Sequence, residues 1–193
     1  MVASSRPSSA MTSRVCSPSA ATWAPAPMQA YFDRIGRNFR PHIKTHKLPA
    51  LAKYQLAQGA VGITCQKVSE AEAMIAEGGI DDVLITYNIL GDVKTARLRA
   101  LSEKVRLSVV ADNRVVADGL SRAFADASKP LEVLVECNTG ADRCGVAAPK
   151  DAADLARYIE SLPGLRFAGL MTFPPFGGFA GSAEWLSEAK DLI

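Results

Sequence analysis

Short apolar runs alternate with helical stretches along most of this chain, and no other feature restricts its fold as strongly. The runs fall at residues 60–64, 83–86, 107–111, 131–137 and 167–172, with a further extended stretch predicted over 38–45. Helical spacing fills residues 28–35, 48–58, 93–103, 113–127, 149–161 and 183–192, and another helix runs from Ser69 to Gly78-Gly79. Ser69 is its predicted cap, with Glu70 and Glu72 on a solvated face. Gly59, Gly78-Gly79 and Pro163-Gly164 are the helix stops. Because the apolar runs are continuous rather than alternating, they read as strands covered on both faces, and the repeated βα order makes the sheet parallel.

Six βα units follow, with strand ends near 45, 64, 86, 111, 137 and 172. An open doubly wound sheet or a (β/α)8 barrel accommodates that order. No G-x-G-x-x-G follows the first strand, which argues against a dinucleotide site. Lys44, Thr64, Tyr87, Asn88, Asp112, Asn138, Arg143 and Thr172 sit at or just past strand C-terminal ends. That is the face on which a barrel builds its site, so the fold class expected is α/β, a partial (β/α)8 TIM-type barrel of about six βα units.

The chain of 193 residues suffices for one domain with a sizeable core. A formal charge of +2 gives no reason to expect nucleic acid or an anionic membrane as partner. No apolar run approaches the roughly 18–20 residues of a membrane span. Cys16, Cys65, Cys137 and Cys144 form no C-x-x-C pair, and with two histidines in the chain no zinc-type ligand cluster emerges. Reduced thiols in a cytoplasmic compartment are expected. The first 27 residues hold seven serines, six alanines, four prolines, two arginines and no acid. They read as a disordered or aberrant leader ahead of a domain at 28–193, either a transit peptide or the product of a shifted frame or misassigned start.

His42, Lys44 and His46 lie two apart, so on an extended strand their side chains share a face. A lysine aimed into a barrel among imidazoles, away from bulk water, supplies the neutral amine that a Schiff base needs. Two other readings stand beside it. Lys44 can be a surface lysine whose histidine neighbours satisfy local hydrogen bonds. The two histidines can also begin a metal site, although no carboxylate lies near them in sequence.

Five stretches together carry a resemblance. Arg40-Pro41-His42-Ile43-Lys44-Thr45-His46-Lys47 resembles the cofactor-lysine motif of the D-threonine aldolase and D-serine dehydratase family, whose members share the fold-type III barrel of alanine racemase. Gly62-Ile63-Thr64-Cys65-Gln66-Lys67-Val68-Ser69-Glu70-Ala71-Glu72 and Asp81-Asp82-Val83-Leu84-Ile85 resemble the second and third units. Val135-Glu136-Cys137-Asn138-Thr139-Gly140-Ala141-Asp142-Arg143-Cys144-Gly145-Val146 resembles the loop after the fifth strand, and Gly169-Leu170-Met171-Thr172-Phe173-Pro174-Pro175 the sixth. The similarity spans about residues 28–193.

The resemblance implies a lyase using pyridoxal 5'-phosphate (PLP), with Lys44 forming the internal aldimine and Arg143 near the phenolic oxygen or ring. His42, Gln66 and Tyr87, with Asn88, are candidates to line the pocket, and Cys144 is assigned to packing. The implied substrate is a D-β-hydroxy-amino acid. It is cleaved to glycine and an aldehyde in the D-threonine aldolase manner, or alternatively dehydrated like D-serine; a non-catalytic PLP-binding barrel fragment is the further alternative. The family also implies a homodimer, a divalent metal of the Mn or Zn type held in a C-terminal β-domain, and a glycine-rich phosphate loop. Neither the metal ligands nor that loop has a counterpart before Ile193, so a truncated, weakly active or inactive form with exposed strand edges is expected.

Overall fold

Each apolar run becomes a strand lying beside its neighbours in sequence. The computed structural model describes residues 25–193, so most of the predicted leader, with Cys16, lies outside the described residues. Five parallel strands form one sheet in the order β1 (Ile63–Cys65), β2 (Asp82–Ile85), β3 (Arg106–Ala111), β4 (Leu131–Cys137), β5 (Leu165–Thr172). Helices α1 (Pro25–Arg34), α2 (Pro49–Ala57), α3 (Val68–Ile75), α4 (Asp92–Ser102), α5 (Arg114–Phe124), α6 (Pro149–Ser161) and α7 (Phe179–Asp191) surround it. A doubly wound sheet reverses its strand order at a switch point. Here the order never reverses, which selects the barrel-type arrangement over the open alternative.

The pleat sorts the side chains. Val83, Ile85, Val109, Val133, Val135 and Cys137 point outward and meet Leu98 and Leu101 of α4, Leu120 and Phe124 of α5, and Ala152, Ala156 and Ile159 of α6 in one buried core. Burying each large aliphatic side chain there contributes about 2 kcal/mol, so this layer holds the helices on the sheet. Neighbouring register partners fall on the other, concave face: Leu84, Ser108, Glu132 and Arg166 form one row, and Glu136 and Met171 another nearer the strand ends. The register of β4 against β5 jumps between Val133 and Leu134. Phe167 pairs with Val133 and Gly169 with Leu134, so Ala168 is an extra residue, a bulge. Gly169, at φ 132°, occupies backbone space that favours glycine.

Two expectations need correction. Residues 38–45 do not form a sixth strand. Phe39 and Pro41 carbonyls accept the Val61 and Thr64 N–H groups at 2.9 and 2.8 Å, and His42 bridges Thr64, but the chain then turns into a 3-10 helix over Ile43–Thr45. The cause is local: His42 Nδ1 accepts the Lys44 N–H at 3.3 Å, and the Ile43 carbonyl accepts the His46 and Lys47 N–H groups. His42, Lys44 and His46 therefore do not alternate along a strand.

Nor does Ser69 cap α3. Lys67 holds the cap position without a side-chain bond, and Glu70 is buried rather than solvated. Its Oε2 accepts the N–H of Gln66, the residue before the cap, at 2.8 Å, while Oε1 pairs with Lys47 at 3.0 Å. Glu72 lies toward solvent and pairs with Arg97. Among the described residues no helix is long and apolar enough to cross a membrane.

Candidate active site

A cavity of about 920 Å³ opens where the strands end. Thr64 and Gln66 reach it from the end of β1, Leu84, Thr86 and Tyr87 from β2, Glu136 from β4, and Met171, Thr172 and Phe173 from β5. The turn after His42 brings Lys44 to the rim, and the loop after β4 brings Arg143 and Cys144. All five predicted site residues, Lys44, Arg143, His42, Gln66 and Tyr87, thus line one cavity, together with Asn88. Lys44 is exposed, so it is not secluded from water in the way its position in sequence suggested. Tyr87 is 62% exposed, at the cavity's edge. Asp112 and Asn138 are not on the wall; they brace it.

The brace is specific. Asn138 Oδ1 accepts the Gly140 and Asp142 N–H groups at 3.1 and 3.0 Å, and its amide donates to Asp142 Oδ1 at 3.0 Å. The loop then folds back so that Asn138 N–H meets the Val146 carbonyl and Val146 N–H meets the Glu136 carbonyl, both at 2.9 Å. That return needs Gly145: at φ 101° a Cβ would lie 2.6 Å from the Asn138 nitrogen and the Cys137 carbonyl carbon. Asp112 Oδ2 accepts the Gly145 N–H at 3.3 Å and Oδ1 the Asn88 amide at 2.8 Å, tying the ends of three strands together.

The electrostatics favour an anionic occupant. Arg40, Lys44 and Arg143 line the wall, opposed by one carboxylate, Glu136. Arg40 is engaged by Asp82 at 2.8 Å, whereas Lys44 has no ion-pair partner among the described residues. Burial, reinforced by the Lys44 charge, pushes His42 below the ordinary histidine range, so the ring is neutral near pH 7. Since Nδ1 accepts the Lys44 N–H, the neutral ring carries its proton on Nε2. His46 is lowered too, by burial, and its Nδ1 accepts the Leu48 N–H at 3.0 Å. Burial also raises the Cys144 thiol, as does its hydrogen bond to Glu136 at 2.8 Å. Asn88 Oδ1 is buried at the wall with no hydrogen-bond partner, an acceptor available to a ligand.

Glu136, Arg40, Thr86, Met171 and Phe173 were not among the predicted site residues. For Glu136 a signal existed: Glu132, Leu134 and Glu136 recur every second residue within an apolar strand, placing two carboxylates on one face. Cys144, assigned to packing, is a cavity-wall residue that donates to Glu136.

Parallel strands in sequence order, with a cationic cavity at their C-terminal ends, define an α/β barrel-type protein with a ligand site on the usual face. The chain belongs to the alanine racemase N-terminal domain family, which it matches over residues 27–185. It is 42% identical to a D-threonine aldolase of Arthrobacter over 146 residues, covering 76% of this chain and 38% of that protein. It is 30% identical to a D-threo-3-hydroxyaspartate dehydratase of Delftia over 149 residues, or 76% of this chain and 39% of that one. The crystal structure of D-threonine aldolase from Filomicrobium marinum superposes with a TM-score of 0.76 at 36% identity, over 87% of this chain and 46% of that chain. The chain thus spans under half the length of each of these three relatives.

Proposed function

We propose that this chain carries the cofactor-lysine portion of a PLP-dependent lyase acting on D-β-hydroxy-amino acids in the manner of a D-threonine aldolase. The observation that carries the reading is the meeting of the Lys44 amine and the Arg143 guanidinium on one cationic cavity at the strand ends. A cavity of about 920 Å³ falls within the range of small-molecule sites. The residues present fit the cofactor chemically: a primary amine, a planar guanidinium, an unpartnered Asn88 acceptor and an excess of positive charge. Bound there, pyridoxal phosphate supplies an electron sink for charge left on the α-carbon when one of its bonds breaks.

The chain's own groups divide the remaining work. Lys44 offers the amine that attaches the cofactor and that a substrate amine displaces. Arg143 would present a fixed positive charge to the ring or its phenolic oxygen. His42, neutral with Nε2–H, holds a proton at the wall without adding a third free cation. Gln66 and Tyr87 bound the space in which the substrate lies. In the retro-aldol direction a base would take the β-hydroxyl proton, the Cα–Cβ bond would break to release an aldehyde, and a proton returned to the α-carbon would give glycine.

The second reading is dehydration, with loss of the α-proton and the β-hydroxyl. The likeness to the Delftia dehydratase supports it, at lower identity than the likeness to the aldolase. Among the described residues no group of three His, Cys, Asp or Glu side chains is arranged to hold a metal ion. The three described cysteines are free of disulfides, which suits a cytoplasmic setting. In the proposed homodimer, as in the single chain, Lys44 remains the point of cofactor attachment.

Adding pyridoxal phosphate to the chain is expected to give an absorbance band that borohydride fixes as a covalent adduct on Lys44. The Lys44→Ala variant is expected to lose both. A wild-type chain without a lysine-dependent band sinks the cofactor reading. Assays with D-threonine and D-serine, with manganese present, then distinguish aldolase from dehydratase and both from a non-catalytic binding fragment.

A further inference from the structure

Glu136 is the sole carboxylate among the described residues on the cavity wall, and its side chain is only 3% exposed. It projects from the concave face of β4 beside Met171. A buried carboxylate is costly unless neighbouring groups hold its charge. Two do. Oε1 accepts the Cys144 thiol at 2.8 Å and lies 3.9 Å from Arg143 Nη2.

The guanidinium has a second support. Arg143 Cζ sits 4.0 Å from the centre of the Phe173 ring, in cation–π contact. Arginine is rich in rotamers, and fixing it for a ligand costs side-chain entropy. A carboxylate on one side and an aromatic face on the other remove much of that cost before any ligand arrives. The ion pair is long and Arg143 is 48% exposed, so its N–H groups stay free to bond elsewhere.

Resting on the reading above, we propose that Glu136 is a positioning residue: with its Oε1 steered by the Cys144 thiol, it holds the Arg143 guanidinium against Phe173 so that the free N–H groups face the bound cofactor. Glu136 itself touches neither cofactor nor substrate in this arrangement. The arrangement draws on three points that meet only in the folded chain: Glu136 on strand β4, Arg143 and Cys144 on the loop after it, and Phe173 following β5.

Ligand-free arginine labelling with phenylglyoxal, mapped by mass spectrometry, tests the proposal without cofactor. In Glu136→Gln the Arg143 labelling rate is expected to rise about threefold while Arg157 on α6 is unchanged, with Glu136→Asp closer to wild type. Unchanged Arg143 labelling in a folded Glu136→Gln chain overturns the proposal. If Glu136→Gln does not fold, the same comparison is made on Glu136→Asp, and loss of the fold in both also overturns it by assigning the residue to stability. With cofactor, Glu136→Gln is expected to weaken pyridoxal phosphate binding about tenfold in the wild-type background and under twofold in Arg143→Met. An equal effect in both backgrounds counts against positioning through Arg143. Should wild type show no lysine-dependent band, the cofactor reading fails, and the labelling result still decides Glu136.

Discussion

The two ends of the concave face use charge in opposite ways. Where the strands begin, Asp82 pairs with Arg40 at 2.8 Å and Arg106 at 3.3 Å, and Glu132 pairs with Arg106 at 3.0 Å and with Arg166. Every one of these charges has a partner, and Ser108 adds a hydrogen bond to Glu132 at 3.2 Å. Burial pushes the Glu132 carboxyl up, but Arg106, Arg166 and Ser108 outweigh it and hold the group below the usual carboxylate range. Where the strands end, Lys44 has no ion-pair partner among the described residues, Arg143 stands 3.9 Å from Glu136, and Asn88 Oδ1 accepts nothing. One end is closed electrostatically and holds the sheet; the other is left open for a ligand.

That contrast breaks most visibly at Glu132. Glu132→Ala leaves Arg106 and Arg166 facing each other, and an unfolding free energy lower by about 3 kcal/mol is expected in urea titration. Gly145→Ala comes next. Forcing a Cβ against the Asn138 and Cys137 backbone is expected to cost about 2 kcal/mol and to weaken pyridoxal phosphate binding, because the loop carries Arg143. Arg143→Met sharpens the comparison from the other side. The Cys144 thiol still bonds Glu136, so stability should fall by only about 1 kcal/mol, well short of Glu132→Ala, while cofactor binding falls. If Arg143→Met proves as destabilising as Glu132→Ala, the open end is structural after all.

The smallest effect is that of pH. His42 and His46 both have folded values depressed below 6.5, so the unfolded chain takes up protons first as pH falls. Their contribution to stability is complete above the unfolded value and is lost as pH drops through the folded ones. Urea midpoints near about pH 7.5 and about 5.5 should therefore differ, and His42→Gln with His46→Gln should narrow the gap.

Much of the fold was legible because it follows from local rules. Continuous apolar runs marked β1 to β5, the span of α6 matched its prediction at both ends, and Asn113 caps α5 by accepting the Val116 N–H at 3.0 Å. The candidate site was legible as a set of polar residues at strand ends. What escaped depends on contacts between distant segments or on a side chain bonding its own backbone. Residues 39–41 are extended, but His42 captures the Lys44 N–H and ends the run, which hydrophobic pattern does not encode. Glu70 reads as solvated because it is charged and helical; the Gln66 N–H and Lys47, across the turn, make its burial tolerable. Arg40 belongs to both ends at once, lining the cavity while bonded to Asp82, and no spacing rule places it there.

The bulge at Ala168 sets a parity for everything after it. With Ala168 inserted, Gly169 stands beside Leu134 and Met171 beside Glu136, and Phe173 arrives under the Arg143 guanidinium. Were the strand to run straight, with Ala168 taking a place in the ladder, the odd and even positions after it would exchange sides, carrying Leu170 toward the cavity and Phe173 away from the arginine. Substitutions along this strand are local events, whereas a change of register rewrites a whole wall. Loss of Ala168, which pairs with no residue of β4, should therefore leave the later side chains on their present sides. Loss of a paired residue beyond it, such as Leu170, should reverse them and be tolerated far less.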